Sequence, residues 1–457
     1  MRSSQRLYQV FSFSTVTLLA CTASAQEDGS LGNETRFGIS SELSSESNAA
    51  MDRPSEGDTN TFATTLSAGI SRRTSIEQLD IDGSAALTFS EEPNDSVQDV
   101  TDPSLRLFYQ REGAGSTLRA VSRAEEQDVT SVSSIYDPET GEVTITPDDG
   151  RRRLLNQSVT LELLKDMPIE LDISAERGDV RYYDTTAPTY YDSSTAGGSL
   201  ATRLRLSPVT TMNAQLRYKY HEADNLQNTE RETRSGEAGI SYAIDPTSTL
   251  NFATGYTTVS TTASGLEEEE AGATFNLGYD KELIRGKIGI DLDREIAATG
   301  ARDALTFTRT FEMPSAALAG EFGLSQNESG DSTWIGQMTY SREFKRGTFG
   351  MNLMRDVSAT DTGGDRVVST LGSAWTHEIN SLSQLSLNGN YGEVDYLNGS
   401  NPTSWQADLS LDYDHQLTRD WVLTTGVSQR RNMQEGLDDA ISNKVYMQIS
   451  RDFTFSH

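Results

Sequence analysis

The sequence predicts an all-β protein, a transmembrane antiparallel up-and-down β-barrel of about 22 strands, within about 18 to 24. Three observations carry this reading. Apolar residues recur at every second position along runs of about 10–13 residues, whereas soluble strands usually run ~5–6. In the second half, strands close on an aromatic near their C-terminal ends: Tyr242, Tyr279, Phe311, Tyr340, Trp375, Tyr413 and Phe455. The connections alternate between short polar turns and longer acidic stretches, which is the asymmetry of barrels with short periplasmic turns and longer outer loops.

The chain has 457 residues and a formal net charge of −30. Residues 1–25 read as a secretory signal. Arg2 and Arg6 supply the positive start, 10–20 is short and mostly apolar, and Ala23-Ser24-Ala25 offers the small-residue cleavage pattern. Removing that segment leaves about −32. Leu18-Leu19-Ala20-Cys21 is a competing lipoprotein box with Cys21 acylated. Cleavage after Ala25 leaves no cysteine, so an exported chain of this size takes its stability from something other than disulfides. After the signal no run of 18 or more apolar residues occurs, which excludes a membrane helix. The negative mean hydropathy fits a barrel, because half of each strand faces a polar interior. The acidic balance argues against nucleic-acid partners, which call for basic patches.

The period-2 runs begin near Arg36. Phe62, Leu66, Ala68 and Ile70 form one face, and Leu79, Ile81, Ala85, Leu87 and Phe89 another. Met212, Ala214, Leu216, Tyr218 and Tyr220 continue the series, and Val445, Met447, Ile449, Phe453 and Phe455 end it. Strands of this length match a tilted bilayer crossing of about 9–11 residues. Short turns are expected at 112–115, 165–168, 207–210, 245–249, 280–286, 342–347 and 415–420, which are rich in Gly, Pro, Asp and Ser. Longer acidic connections are expected at 46–60, 91–101, 127–153, 183–198, 222–230, 260–269, 394–401 and 430–443. Residues 26–33 form a short periplasmic segment, too short for a plug, and 34–457 the barrel. A soluble propeller or sandwich would need strands of about half this length.

Assigning the apolar parity to lipid puts the other parity in the lumen. Arg106, Arg119, Arg123, Arg203, Arg205, Arg217 and Lys219 then point inward, as do Glu162, Glu170, Asp172, Glu176, Asp280, Asp291, Asp293, Asp408 and Asp412. Charges are costly on the lipid face near the midplane and cheap in a wet lumen. Basic and acidic arcs across a water-filled channel would orient polar solutes and set ion preference. The plainer alternative is that they only pair within the wall. Arg309, Arg355 and Arg451 share parity with apolar neighbours. Arg355 lies near a strand end. Arg309 and Arg451 are expected deeper, at a bulge, a register change or a protein contact. In a barrel this wide either inward-folded loops narrow the pore, with 127–153 the best candidate constriction, or the pore is wide and serves a bulky substrate.

Other motifs carry little. Arg177-Gly178-Asp179 matches an adhesion tripeptide too short to be specific. Asp80-x-Asp82-Gly83 lacks the remaining ligands of a calcium loop. The run 267–270, Asp361 and Asp365 read as solvated loop charge. His221, His377, His415 and His457 belong to no nucleophile or zinc motif. Ser369 and Ser373 share a strand with His377, but i,i+4 positions on a strand lie about 13 Å apart, too far for a hydrogen bond. No catalytic residue, metal site or cofactor is expected.

The signal sequence, the amphipathic hairpins and a C-terminal strand from Val445 to Phe455 together resemble Gram-negative outer-membrane β-barrels. The resemblance covers everything after residue 33. It implies contact with outer-membrane lipid and docking of the last strand on the barrel-assembly machinery, although Ser456 and His457 follow the expected terminal aromatic. The stretch 79–107, with Ala86-Leu87-Thr88-Phe89-Ser90 before an acidic loop and Asp102-Pro103-Ser104-Leu105 after it, is similar to porins found beside exopolysaccharide synthesis genes. That resemblance implies passive diffusion or export of polar solutes, including polysaccharide, and transfers no site residue. The alternative is a non-conducting surface or adhesion barrel whose acidic loops bind partners or divalent cations.

Overall fold

The computed structural model describes residues 32–129, 135–136, 143–144, 150–185, 190–360, 364–397 and 402–456. The segment read as a signal therefore lies outside the described residues. One sheet of 22 strands forms the wall, every neighbour antiparallel, and the first strand, Gly32–Ser47, closes onto the last, Ala440–Ser456. Full closure leaves no edge of this sheet unpaired, the condition for a sheet inside hydrocarbon. Inside the seam Lys444 lies 2.7 Å from Glu42 and Arg430 lies 2.5 Å from Glu46, while Ser442 donates to Glu46 at 2.6 Å. The first strand thus starts a few residues before the expected Arg36. Phe455 meets the ring of Phe37 edge-on at 6.3 Å.

Strand length runs from 12 residues in Gly286–Ala297 to 18 in Leu266–Leu283. Most strands exceed a bilayer crossing, so their ends stand in water. This corrects the reading of the long connections. Residues 260–269 are not a loop: strands Ser248–Ala263 and Leu266–Leu283 meet in a two-residue turn. The stretch 222–230 shrinks to 224–228, 91–101 to 92–95 and 430–443 to 435–439. Above the bilayer both faces of a strand meet water, so apolar alternation stops while ladder pairing continues. Polar composition there marks depth rather than loop. The short turns lie where expected, for example at 208–209, 246–247 and 284–285. Gly286 follows the last of these at φ +113, and a Cβ there would collide with the Thr310 carbonyl, so the turn requires glycine.

Large apolar residues are exposed along one parity throughout: Leu66 is 51% exposed, Leu216 61%, Phe322 61% and Val445 61%. Fully buried apolar residues are few by comparison, and they gather where the upper wall and its connections meet, as at Val368 and Val394. The molecule carries its apolar surface outside, and such a surface is stable only against hydrocarbon.

Candidate functional site in the barrel lumen

The ladder register fixes which residues share a face. In the pair of strands Ser193–Ser207 and Thr210–Ala223, Leu200 faces Leu216 and Leu204 faces Met212 on the apolar side. Arg203 faces Asn213, Ser199 faces Arg217 and Gly197 faces Lys219 on the other. Arg106 faces Arg123 and Gln110 faces Arg119. Glu162 faces Asp172, and Glu170, Asp172 and Glu176 oppose Arg203, Ala201 and Gly197. Asp280, Asp291 and Asp293 alternate with Tyr279, Ile290 and Leu292, as Asp408 and Asp412 do with Leu409 and Leu411. Each of the inward residues expected from the sequence thus lies on the face opposite the apolar one.

The basic sector is partly neutralised in place. Glu170 binds Arg203 at 3.0 Å and Arg205 at 3.2 Å. Arg123 is held by Glu125 at 2.5 Å. The Arg119 guanidinium lies 5.2 Å from the Phe108 ring centroid. Arg106 stands in register between Asp82 and Arg123, and Asp82 is itself taken by Arg36 at 2.7 Å. The acidic sector, on strands Leu266–Leu283, Gly286–Ala297 and Ser404–Gln416, is held mainly by neutral donors. Asn276 donates to Asp293 at 3.3 Å, Tyr446 donates to Asp412, and Lys287 pairs with Asp280. Glu162, Glu170, Asp172 and Glu176 lie within the basic span, and the acidic strands fall at two places on the ring, Leu266–Leu283 with Gly286–Ala297 and, beyond six intervening strands, Ser404–Gln416.

The long-connection mouth is narrowed by contacts that sequence reading missed. Arg302, 8% exposed, binds Asp365 at 2.7 Å, Glu295 at 3.0 Å and the Val357 carbonyl at 3.2 Å. Asp365 also accepts from Thr299 at 2.9 Å and Asn327 at 3.1 Å. Arg231 donates to the Thr360 carbonyl at 3.2 Å, although six strands separate Thr229–Asp245 from Gly347–Ala359. The upper part of the hairpin Gly347–Ala359 and Asp365–Asn380 therefore leans over the lumen. Arg302 has inward parity in the sequence, but only the fold of the mouth brings its partners to it. Asp365 is thus buried and ion-paired rather than solvated loop charge, and Asp361 lies outside the described residues. Of the candidate constriction 127–153, both ends belong to strands, and most of the connection 129–150 lies outside the described residues.

The aromatics Tyr242, Tyr279, Phe311, Tyr340, Trp375, Tyr413 and Phe455 all have apolar-face parity and lie within the last few residues before a short turn or the chain end. Arg309 and Arg451 lie in that same rim, not deeper, and no register shift occurs at either. Arg309 stacks 5.5 Å over Phe311, and Arg451 sits 5.5 Å from Trp421 and 4.4 Å from Phe453. Arg355 lies toward the opposite rim, 4.6 Å over Trp334. Ser369 bonds Arg355 at 2.5 Å, Ser373 donates to the Gly389 carbonyl at 3.3 Å, and His377 stacks on Trp375. Arg177 and Asp179 form an ion pair at 2.9 Å within a strand. Asp80 is taken up by Ser71 at 2.5 Å and by Gln78 at 2.6 Å, inside the ladder. Residues 267–270 are strand, with Ser260 donating to Glu267 at 2.9 Å.

No family model and no curated protein matches the sequence. Solved structures do match in fold. The chain is similar to the FrpB iron transporter from Neisseria meningitidis (F5-1 variant), with a TM-score of 0.59 at 8% identity over 93% of this chain and 83% of that one. It is similar to BauA, the ferric preacinetobactin receptor from Acinetobacter baumannii, with a TM-score of 0.55 at 10% identity over 93% and 80%. The siderophore receptor PirA from Acinetobacter baumannii gives 0.54 at 7% identity over 93% and 81%. These likenesses are to receptor and transporter barrels rather than to exopolysaccharide-associated porins. The chain shares the closed-barrel fold of these proteins, and its exposed apolar face is of the kind that meets lipid.

Proposed function

We propose that this barrel is an outer-membrane channel for passive diffusion or export of polar solutes. The observation that carries the reading is the inner wall. The charged residues expected there share the parity opposite the apolar face: basic ones recur from Ser96–Gly113 to Thr210–Ala223, with Glu162, Glu170, Asp172 and Glu176 among them, and acidic ones on Leu266–Leu283, Gly286–Ala297 and Ser404–Gln416. A wall built only for stability would pair its charges locally, as Glu170 does with two arginines. Asp291 instead lies in register between Gly278 and Thr306, with no cation beside it in the ladder, which is how a wet path keeps a field. The Arg302–Asp365 and Arg231–Thr360 contacts narrow the mouth and set the size limit. Polysaccharide belongs to the solute class the reading covers.

A second reading is uptake of an anionic metal chelate. The cargo named for the solved neighbours, iron or a ferric siderophore, suggests it, and the basic arc favours an anion over a neutral solute.

Planar-bilayer recording on refolded protein tests the first reading. Discrete conductance steps are expected, and a silent bilayer with inserted, folded protein would refute it. If steps are seen, a millimolar ferric chelate that blocks them supports the second reading.

A further inference from the structure

We infer that the short-connection rim of the outer wall is a collar that binds the phosphates of glycerophospholipids in the adjoining, periplasmic leaflet. Charge is sorted across the wall at this height. Outward-facing positions hold Arg72, Arg111, Lys281, Arg309, Arg342 and Arg451, each within a few residues of a strand end. Inward positions at the same level hold Glu282, Glu312, Glu343, Glu378, Asp414 and Asp452. The inward cations at this level are mostly held within the wall: Arg36 is tied to Asp82, Lys287 to Asp280 and Arg205 to Glu170, Arg119 lies over Phe108, and Arg73 stands at a strand end. Solubility or net charge would not separate signs by face.

The opposite rim supplies the second observation. Its outward arginines are mostly neutralised on the wall itself, with Arg355, held by Ser369 and the Trp334 ring, as an exception. Arg153 has Glu126 at 3.1 Å, Arg177 has Asp179 at 2.9 Å, Arg234 has Glu232 at 2.6 Å and Arg294 has Asp303 at 3.4 Å. At the short-connection rim, among the described residues, Arg72, Lys281, Arg309 and Arg342 have no carboxylate within 4 Å, and Arg111 faces Glu77 in register without an ion pair. Arg451 alone has one, Asp420 at 3.3 Å.

The geometry suits a headgroup. Arg342 lies 5.0 Å over Phe344, as Arg309 does over Phe311 and Arg451 beside Trp421 and Phe453. Arg342 keeps one face on an aromatic at the hydrocarbon boundary and its N–H edge for an oxygen anion, while Arg309 also donates to the Lys287 carbonyl at 3.3 Å and Arg451 to Asp420 at 3.3 Å, so these two offer only their remaining N–H groups. A phosphate ester on a diacyl chain fills both needs at once: the acyl chains cover the exposed apolar wall while the phosphate meets the cations. A free anion would meet only the second.

The chain contains four tryptophans. Trp375 and Trp421 lie in this rim, and Trp334 and Trp405 toward the other. In a W334F/W405F background of the full chain in dodecylmaltoside micelles, quenching of the remaining pair by brominated lipid reads this rim alone. Brominated phosphatidylglycerol should half-quench at a concentration at least about threefold below that of brominated diacylglycerol of the same chains. R309Q/R342Q/R451Q should erase the difference and R309K/R342K/R451K should keep it, with folding followed by heat-modifiable mobility. Should the glutamine variant not fold, R342Q alone should reduce the ratio. Equal quenching by the two lipids, an undiminished ratio in the glutamine variants, or loss of the ratio in excess inorganic phosphate would overturn the assignment.

Discussion

Arg302 and Asp365 meet at 2.7 Å across three intervening strands, both nearly buried. Adjacent-strand ladders cannot create such a contact, so the pair holds the mouth in its folded-over shape. Arg302→Gln leaves Asp365 with Thr299 and Asn327 but frees the Val357 carbonyl and Glu295. The expected cost is about 1–3 kcal/mol. The wider mouth should raise single-channel conductance, read directly by planar-bilayer recording.

Glu170 sits between Arg203 and Arg205 at 3.0 and 3.2 Å. Glu170→Gln removes one negative charge and unmasks two positive ones. The reversal potential in a salt gradient should shift toward anions. R203Q/R205Q/R217Q should shift it toward cations. Stability should change little, since pairs this exposed contribute about 0.2–1 kcal/mol.

Leu409 and Ser410 are neighbours on opposite faces near the middle of Ser404–Gln416, and Leu409 is 55% exposed. Leu409→Arg places a charge in hydrocarbon and should destabilise by about 2–4 kcal/mol. Ser410→Arg enters the lumen between Asp408 and Asp412 and should cost less than about 1 kcal/mol. Urea titrations of the two variants in phospholipid vesicles compare them.

At Gly286 a side chain would strike the Thr310 backbone at φ +113, whereas nothing lies within 4 Å of a Cβ at Gly350. Gly286→Ala should cost about 1–3 kcal/mol from strain. Gly350→Ala should be neutral within about 1 kcal/mol. Thermal loss of the heat-modifiable form distinguishes them.

Much of the fold was legible because one period governs it. Leu66, Ile81, Leu216 and Leu409 announce the lipid face, and the charges between them announce the other. Arg203 and Asp408 share the polar parity opposite the lipid face. Depth was less legible. Glu267 to Glu270 are strand, yet above the bilayer no apolar alternation is needed, so they resemble loop. Arg309 and Arg451 share the apolar parity of deeper residues, and only the strand ends at Met313 and Ser456 show that they belong to the rim. Arg302 and Arg231 reach partners through a leaning hairpin, a relation between strands far apart in order. No local pattern encodes it.

Substituted-cysteine labelling tests the wet lumen most directly. In a C21S background reconstituted into vesicles, cysteines at 408, 410 and 412 should react with a membrane-impermeant maleimide. Those at 407, 409 and 411 should stay unlabelled. Uniform labelling, or protection of the even-numbered set, would contradict a water-filled interior behind a hydrocarbon-facing wall.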